Sequence, residues 1–160
     1  MRKMPMIACL LSFATMCGCD KAPTPEEERA EQRRKAAEQG DAAAQYALGW
    51  CYANGWGVEK DMAEAVKWWR KAAEQGDATA QRTLGKRYKR GEGVEKDMVE
   101  AVKWWRKAAE QGDAAAQIEL GWCYKRGEGV GKDMVEAAKW FHKASEQGYV
   151  SPKTHYWNRK

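Results

Sequence analysis

Few side chains of this sequence have the types and spacing that catalysis or metal binding would need. The two histidines, His142 and His155, have no cluster of cysteine or histidine around them, so we expect no metal ion and no cofactor. Beyond residue 19 the only serines are Ser145 and Ser151, and neither is followed three positions later by the lysine of a Ser-x-x-Lys motif. We therefore expect no catalytic residue.

Glycine, alanine and tryptophan instead recur with a fixed period. Gly40, Gly76, Gly112 and Gly148 are spaced 36 residues apart, and the sequence between them is nearly the same three times. A period of this length is typical of solenoids, in which each unit buries its apolar face by stacking on a neighbour. Solenoids usually bind other molecules, so the period predicts a binding protein.

Each repeat predicts two helices joined by a glycine-containing turn. In the first copy, Asp41 is the expected N-cap of helix A over 42–53. Asp61 is the expected N-cap of helix B, in an acidic variant of the capping box with Glu64. The expected buried positions are Ala44, Gln45, Leu48, Gly49 and Tyr52 of helix A and Met62, Ala65, Val66, Trp69 and Ala73 of helix B.

One glycine stands inside every predicted helix A. Gly49, Gly85 and Gly121 each cost about 1 kcal/mol of helix propensity relative to alanine. Because all three copies keep it, we expect this glycine to admit a bulky neighbour, namely the tryptophan of helix B.

Composition and charge exclude several classes of partner. The chain has 160 residues, of which 44% are apolar, and a net charge of +5 that falls to +3 if the two basic residues Arg2 and Lys3 are removed with a signal peptide. Basic and acidic side chains alternate along the predicted helices, as on solvated faces. We expect no nucleic-acid partner and no small-molecule substrate.

The first nineteen residues have the pattern of an export signal. The uncharged stretch from Met4 to Met16 is too short to span a bilayer but suits the apolar region of a signal peptide. It is followed by Gly18-Cys19, which resembles a bacterial lipobox, although Met16 stands where leucine is usual. This resemblance implies lipidation of Cys19 and a membrane-anchored lipoprotein facing the periplasm. A plain secretory signal, which would give a soluble periplasmic or secreted protein, and an uncleaved anchor remain alternatives.

The repeat resembles the Sel1-like repeat, a relative of the tetratricopeptide repeat. In the first copy the resemblance is carried by Ala44, Leu48, Gly49, Tyr52, Gly55, Gly57, Val58, Asp61, Ala65, Trp68, Ala72, Ala73 and Gly76. The second copy keeps each of these types, and the third differs at Ser145. The resemblance implies an all-α fold, a right-handed α/α solenoid of three 36-residue helix-turn-helix repeats, and a scaffold or adaptor role in protein–protein interaction.

Half-repeats are expected to cap the two ends of the stack. The expected organisation is a signal peptide over 1–19, a linker over 20–24, an N-terminal capping helix over 25–39, repeats over 40–75, 76–111 and 112–147, and a C-terminal cap over 148–160. Thr24 and Pro25 are the expected N-cap and first residue of the capping helix, which has Gln32 and Arg33 in place of the tryptophan pair. In the C-terminal cap, Tyr156 falls in the slot of Leu48.

Helix A positions that differ between the copies mark the candidate binding residues. They are Tyr46, Arg82 and Ile118 in one slot and Trp50, Lys86 and Trp122 in another. We expect both slots to lie opposite the core face. Helix A lines the groove of tetratricopeptide-like stacks, so the resemblance implies that these residues grip an extended or acidic segment of a protein partner. The alternative is that the two tryptophans only pack between neighbouring A helices.

Two other functions remain open at this point. The tryptophans could stack on glycans of the cell envelope. Cysteine-rich relatives labelled β-lactamases suggest an enzyme, but they carry one disulfide per repeat, whereas Cys51 and Cys123 lie two repeats apart, beyond disulfide reach. We expect both thiols to be buried, and we expect Trp56, which replaces Glu92 and Glu128 at the turn, to form an exposed patch or a local lid.

Overall fold

A computed structural model describes residues 22–149, and this part of the chain folds into helices without any strand. The helices are α1 (Pro25–Glu38), α2 (Ala42–Asn54), α3 (Met62–Glu74), α4 (Ala78–Arg90), α5 (Met98–Glu110), α6 (Ala114–Arg126) and α7 (Met134–Glu146). Each helix packs against the helices before and after it in the chain. The predicted all-α solenoid is confirmed. The predicted signal peptide, Cys19, His155 and most of the predicted C-terminal cap, including Tyr156, lie outside the described residues.

Aspartate and glycine set the ends of helix A, as the sequence predicts. The Asp41 carboxylate accepts a hydrogen bond from the backbone N–H of Ala44 at 2.8 Å, which satisfies one of the unpaired donors of the first turn. At the other end, Gly55 closes α2 with a φ of 77°, in the left-handed region that favours glycine. Aspartate likewise caps the first turn of α4 and of α6, and a left-handed glycine likewise ends both helices.

The predicted capping box at the start of α3 is only half formed. The Asp61 carboxylate accepts from the backbone N–H of Glu64 at 3.0 Å. The N–H of Asp61 donates instead to the carbonyl of Tyr52 at 2.9 Å, and the Glu64 carboxylate pairs with Lys67 at 2.8 Å. The reciprocal bond is therefore absent here, because the carbonyl of Tyr52, in the last turn of α2, accepts from the Asp61 N–H instead.

The first helix has the properties of a cap. The Glu27 carboxylate accepts from the backbone N–H of Thr24 at 2.6 Å, and the Thr24 hydroxyl accepts from the N–H of Glu27 at 3.3 Å, which makes a complete capping box. Gln32 and Arg33, which replace the tryptophan pair, are exposed. The predicted polar outer face of this helix is confirmed.

An aromatic side chain from helix B packs directly on the helix A glycine in every hairpin. A Cβ atom on Gly85 would lie 2.5 Å from Cδ1 of Trp105, which is fully buried. Gly49 has the same relation to Trp69, and Gly121 to Phe141. The predicted close approach is confirmed, since any side chain there would overlap the ring, but the predicted tryptophan partner holds only for Gly49 and Gly85, because Gly121 faces Phe141.

Buried glutamines link each hairpin to the one before it. Gln81 is 4% exposed, and its Nε2 donates to the carbonyl of Ala73 in the preceding hairpin at 3.0 Å. Its Oε1 accepts from Nε2 of Gln111 at 2.8 Å. Equivalent bonds join Ala37, Gln45 and Gln75, and Ala109, Gln117 and Gln147. Because both ends of the buried amide are paired, it can fix the stacking register without a desolvation penalty.

Candidate partner-binding surface

The six predicted binding residues lie on α2, α4 and α6, in two slots that are one helical turn apart. These residues, called the A-helix surface from here on, are Tyr46, Trp50, Arg82, Lys86, Ile118 and Trp122. All six are half-buried. Ion pairs reach from α4 to α6, and Arg87 of α4 lies 5.8 Å from the ring centroid of Trp50 on α2. The three helices are therefore side by side, and their variable residues form one layer.

The aromatic residues of α2 are anchored more firmly than the sequence suggests. The Trp50 ring meets the Trp69 ring edge-on, with centroids 5.2 Å apart, and meets Tyr46 at 6.3 Å. Both Tyr46 and Trp50 pack against the main core. The expectation that both slots lie opposite the core is wrong for these two residues, because the Trp50 ring reaches Trp69 on helix B of its own hairpin and the Tyr46 ring packs on Trp50.

Trp122 has a similar anchor in the third hairpin. Its ring meets Phe141 edge-on at 5.4 Å. The Nζ atom of Lys125 lies 4.7 Å from the ring centroid, and the guanidinium of Arg126 lies 5.1 Å from it, both within cation–π range. Each tryptophan of the surface is thus held in one orientation by its packing, with part of the side chain accessible.

Positive charge on the A helices is concentrated on α4. This helix carries five basic residues and no acidic residue, whereas α2 has no charged residue at all. Four of the five pair with carboxylates. Arg82 pairs with Asp113 at 2.9 Å, Lys89 with Glu119 at 3.0 Å, Arg90 with Glu92 at 3.6 Å, and Arg87 also with Glu92.

The fifth basic residue, Lys86, makes no ion pair with any residue from 22 to 149. Burial lowers the pKa of Lys86 below its usual value, and the charge of Arg82 lowers it further. The carboxylates of Glu119 and Asp113 act in the opposite direction, but they do not compensate. Lys86 is therefore a partly desolvated cation without an ion pair in the middle helix of the surface, with charges of both signs around it.

Comparison of the repeats could have indicated Arg87, which the sequence reasoning passed over. It occupies the slot that holds Cys51 and Cys123 in the other copies. Its guanidinium lies 5.1 Å from the ring centroid of Trp69, on the preceding hairpin. A cation at this slot therefore ties the middle hairpin to the aromatic residues of the first.

The two cysteines of the described region are small buried thiols, as predicted. Neither Cys51 nor Cys123 forms a disulfide, and both are buried. Burial raises the pKa of Cys123 to about 12, which keeps it protonated at physiological pH. Arg33 donates a hydrogen bond to Sγ of Cys51 at 3.2 Å. Neither thiol has the exposure of a nucleophile.

The remaining candidate groups give little sign of chemistry. Among residues 22–149, no three or more His, Cys, Asp or Glu side chains are grouped closely enough to hold a metal ion. None of the helices in this range has the length and apolarity to cross a bilayer. Trp56 is 53% exposed, as expected for a surface patch. On the helix B side, an open groove of about 450 Å³ is lined by Val99, Trp104 and Val130 among others.

Comparisons with known proteins place these observations in a family. The pattern of the family described as Sel1 repeat matches residues 42–77, 78–113 and 114–149. The chain is similar to a protective antigen of uropathogenic Escherichia coli strains, whose crystal structure is described as having an SLR fold. The two sequences are 49% identical, and the structures match with a TM-score of 0.71 over 74% of this chain and 25% of the E. coli chain. A Sel1 repeat protein from Oxalobacter formigenes is 41% identical, with a TM-score of 0.71 over 77% of this chain and 50% of its own.

Cysteine rich protein B of Helicobacter pylori shares the fold. It is 23% identical, with a TM-score of 0.62 over 80% of this chain and 93% of its own. No curated protein sequence matches the chain significantly. The chain spans a quarter of the length of the E. coli structure and half of the O. formigenes structure.

Proposed function

The chain belongs to the Sel1 repeat family, whose members are generally protein-interaction scaffolds, and we propose that it is a non-catalytic scaffold of the bacterial cell envelope. It holds a segment of a protein partner along the A-helix surface. The partner gains affinity from aromatic anchors that are already oriented before binding, which lowers the entropy cost of association.

The observation that supports this proposal best is the arrangement of Trp50, Lys86 and Trp122 on successive A helices. Both rings are fixed by edge-on contacts at 5.2 and 5.4 Å, and the lysine between them lacks an ion-pair partner within residues 22–149. Tryptophan side chains that are partly buried and held by packing are typical of binding hot spots.

Location at the envelope rests on the N-terminal sequence. The apolar stretch and Gly18-Cys19 favour export and acylation of Cys19, and each acyl chain would stabilise membrane attachment by about 0.8 kcal/mol per buried CH₂. The description of the E. coli relative as a protective antigen supports an exported location. Substitution Cys19→Ala should leave the protein soluble or unprocessed when cell membranes are fractionated. Membrane association equal to that of the wild type would count against lipidation.

Capture of partners from envelope extract tests the scaffold function. A chain that combines Trp50→Ala with Trp122→Ala should lose the partner that the wild-type chain retains on beads. The two substitutions also remove packing on Trp69 and Phe141, so thermal unfolding by circular dichroism must show that the variant is still folded at the capture temperature.

A second variant keeps both anchors in place. Ile118→Glu introduces a charge on the half-buried surface of α6 without removing an aromatic ring, and it should also abolish capture. Lys67→Glu, at an exposed position on α3, is the matched control and should capture normally. Retention of the same partner by both surface variants would reject the A-helix surface as the binding site.

The enzyme alternative has its own assay. Neither Ser145 nor Ser151 has a lysine three positions later, and the described thiols are buried. Hydrolysis of nitrocefin above background by the purified chain would replace the scaffold proposal with a catalytic one.

A further inference from the structure

We propose that the partner segment is acidic and that one of its carboxylates pairs with Lys86 at the centre of the A-helix surface. This inference rests on the proposed function, because it names the chemistry of the partner at that same surface.

The distribution of ion pairs on α4 is the first argument. Arg82, Arg87, Lys89 and Arg90 each have a carboxylate partner, so the fold supplies an anion for every basic residue of this helix except Lys86. Lys86 is half-buried, and although Glu119 and Asp113 act on its charge, neither forms an ion pair with it. A carboxylate brought by a partner would complete the pattern.

The surroundings of Lys86 favour an anion over a neutral ligand. Arg82 and Arg90 act to lower the pKa of Lys86, whereas Glu119 and Asp113 act to raise it, but Asp113 is already paired with Arg82 and Glu119 with Lys89. The adjacent helix α2 contributes no charged side chain that could compete for a carboxylate. Charge complementarity therefore selects an acidic segment.

The residues on either side of Lys86 define the rest of the segment. Trp50 lies on the preceding A helix and Trp122 on the following one. Directly packed helices are about 10 Å apart, and the closest packing here is between helices that follow each other in the chain, so the rings of Trp50 and Trp122, on alternate helices, are separated by at least roughly 20 Å. At least about six residues of extended chain are needed to cover that distance. The segment we infer has an Asp or Glu at its centre and apolar or aromatic residues three or more positions before and after it.

A peptide library provides a probe that does not require the natural partner. Linear dodecapeptides displayed on phage are selected on the wild-type chain, and an enriched peptide is synthesised with its central Glu or Asp and as the matching Gln or Asn version. We expect enriched sequences to contain the acidic residue, and the amide version to bind about tenfold more weakly by fluorescence anisotropy, as for loss of one charge-assisted hydrogen bond.

Substitution Lys86→Met identifies the residue that reads the carboxylate. Methionine keeps the length and apolar stem of lysine, so the fold should be retained. On this variant the acidic and amide peptides should bind equally well, and on the control variant Lys67→Met the tenfold difference should persist. Binding of the acidic peptide should also weaken as salt concentration rises.

Four results would overturn the inference. Two come from the library: no enriched peptide, or enriched peptides without an acidic residue. The third is a difference in affinity between the acidic and the amide peptide that persists in Lys86→Met. The fourth is displacement of the bound peptide by heparin or DNA at a lower concentration than by the free acidic peptide. Enriched neutral peptides that need Trp50 and Trp122 would remove only the carboxylate inference. Peptides that bind Trp50→Ala with Trp122→Ala as tightly as wild type would instead reject the proposed binding surface.

Discussion

Substitution Gly85→Ala tests the packing that holds each hairpin together. In an ordinary helix, alanine in place of glycine would stabilise by about 1 kcal/mol. Here the new methyl group would lie 2.5 Å from Cδ1 of Trp105, far inside van der Waals contact, and Trp105 is fully buried. The ring must move, which would also displace its Nε1 from the carbonyl of Arg82, 3.3 Å away.

The change in the free energy of unfolding is the balance of three contributions: overpacking, the lost hydrogen bond and the gain in helix propensity. Overpacking in a tight core costs about 1–3 kcal/mol and occasionally more. Loss of the indole hydrogen bond adds about 1 kcal/mol. After the gain in helix propensity, the net destabilisation should be about 1–3 kcal/mol, which corresponds to a fall in Tm of about 3–9 °C for a chain of this size.

The assay is thermal unfolding by circular dichroism, with Gly131→Ala as the matched control. A Cβ atom on Gly131 meets nothing within 4 Å and its φ is not in the left-handed region, so alanine there should leave Tm unchanged or raise it slightly. Gly121→Ala should be milder than Gly85→Ala, because the facing Phe141 is only half-buried. A Tm for Gly85→Ala equal to or above that of the wild type would refute the packing argument.

Two further predictions concern the buried amide of Gln81 and the buried thiol of Cys123. Gln81→Ala leaves the carbonyl of Ala73 and the amide of Gln111 without their buried partner, and should destabilise by about 1–3 kcal/mol in urea unfolding, whereas an exposed glutamine such as Gln32 should tolerate alanine within about 0.5 kcal/mol. In a chain that begins at residue 20 and carries Cys51→Ala, the remaining thiol of Cys123 should stay unmodified by Ellman's reagent at pH 8 until the protein unfolds. Rapid modification of the native chain at pH 8 would contradict the burial of Cys123. Because the pKa of Cys123 in the folded chain is raised from 9.0 to about 12, its contribution to the free energy of unfolding is complete below pH 9 and decreases as pH rises from there.

The repeat made the fold accessible from the sequence. Asp41 and Gly55 mark helix ends through local hydrogen bonding and local φ, so a reader of the sequence needs no tertiary information to place them. The helix A glycine was informative because it is locally unfavourable and yet present in every copy. That conflict between propensity and position indicated the buried aromatic ring of helix B.

The features that the sequence did not reveal depend on the register between hairpins. Gln81 and Gln111 are separated by 30 residues, and Arg82 and Asp113 by 31, so these bonds exist only once the hairpins stack at a particular offset. Helical spacing places Gln45, and with it Gln81, on the core face, but it does not show which carbonyl and which amide a buried glutamine there pairs with. Likewise, the burial of Trp50 could not be read from helical spacing, because its ring extends beyond its own face to contact Trp69.

Site-specific photo-crosslinking in living cells tests most directly whether the A-helix surface binds a partner. A benzophenone amino acid at Ile118 samples that surface, and the same amino acid at Val99 samples the open groove on the helix B side. The account predicts a discrete protein adduct from position 118, lost when Trp50→Ala is added, and none from position 99. Adducts from position 99 alone, or adducts from position 118 that persist in the Trp50→Ala chain, would contradict it.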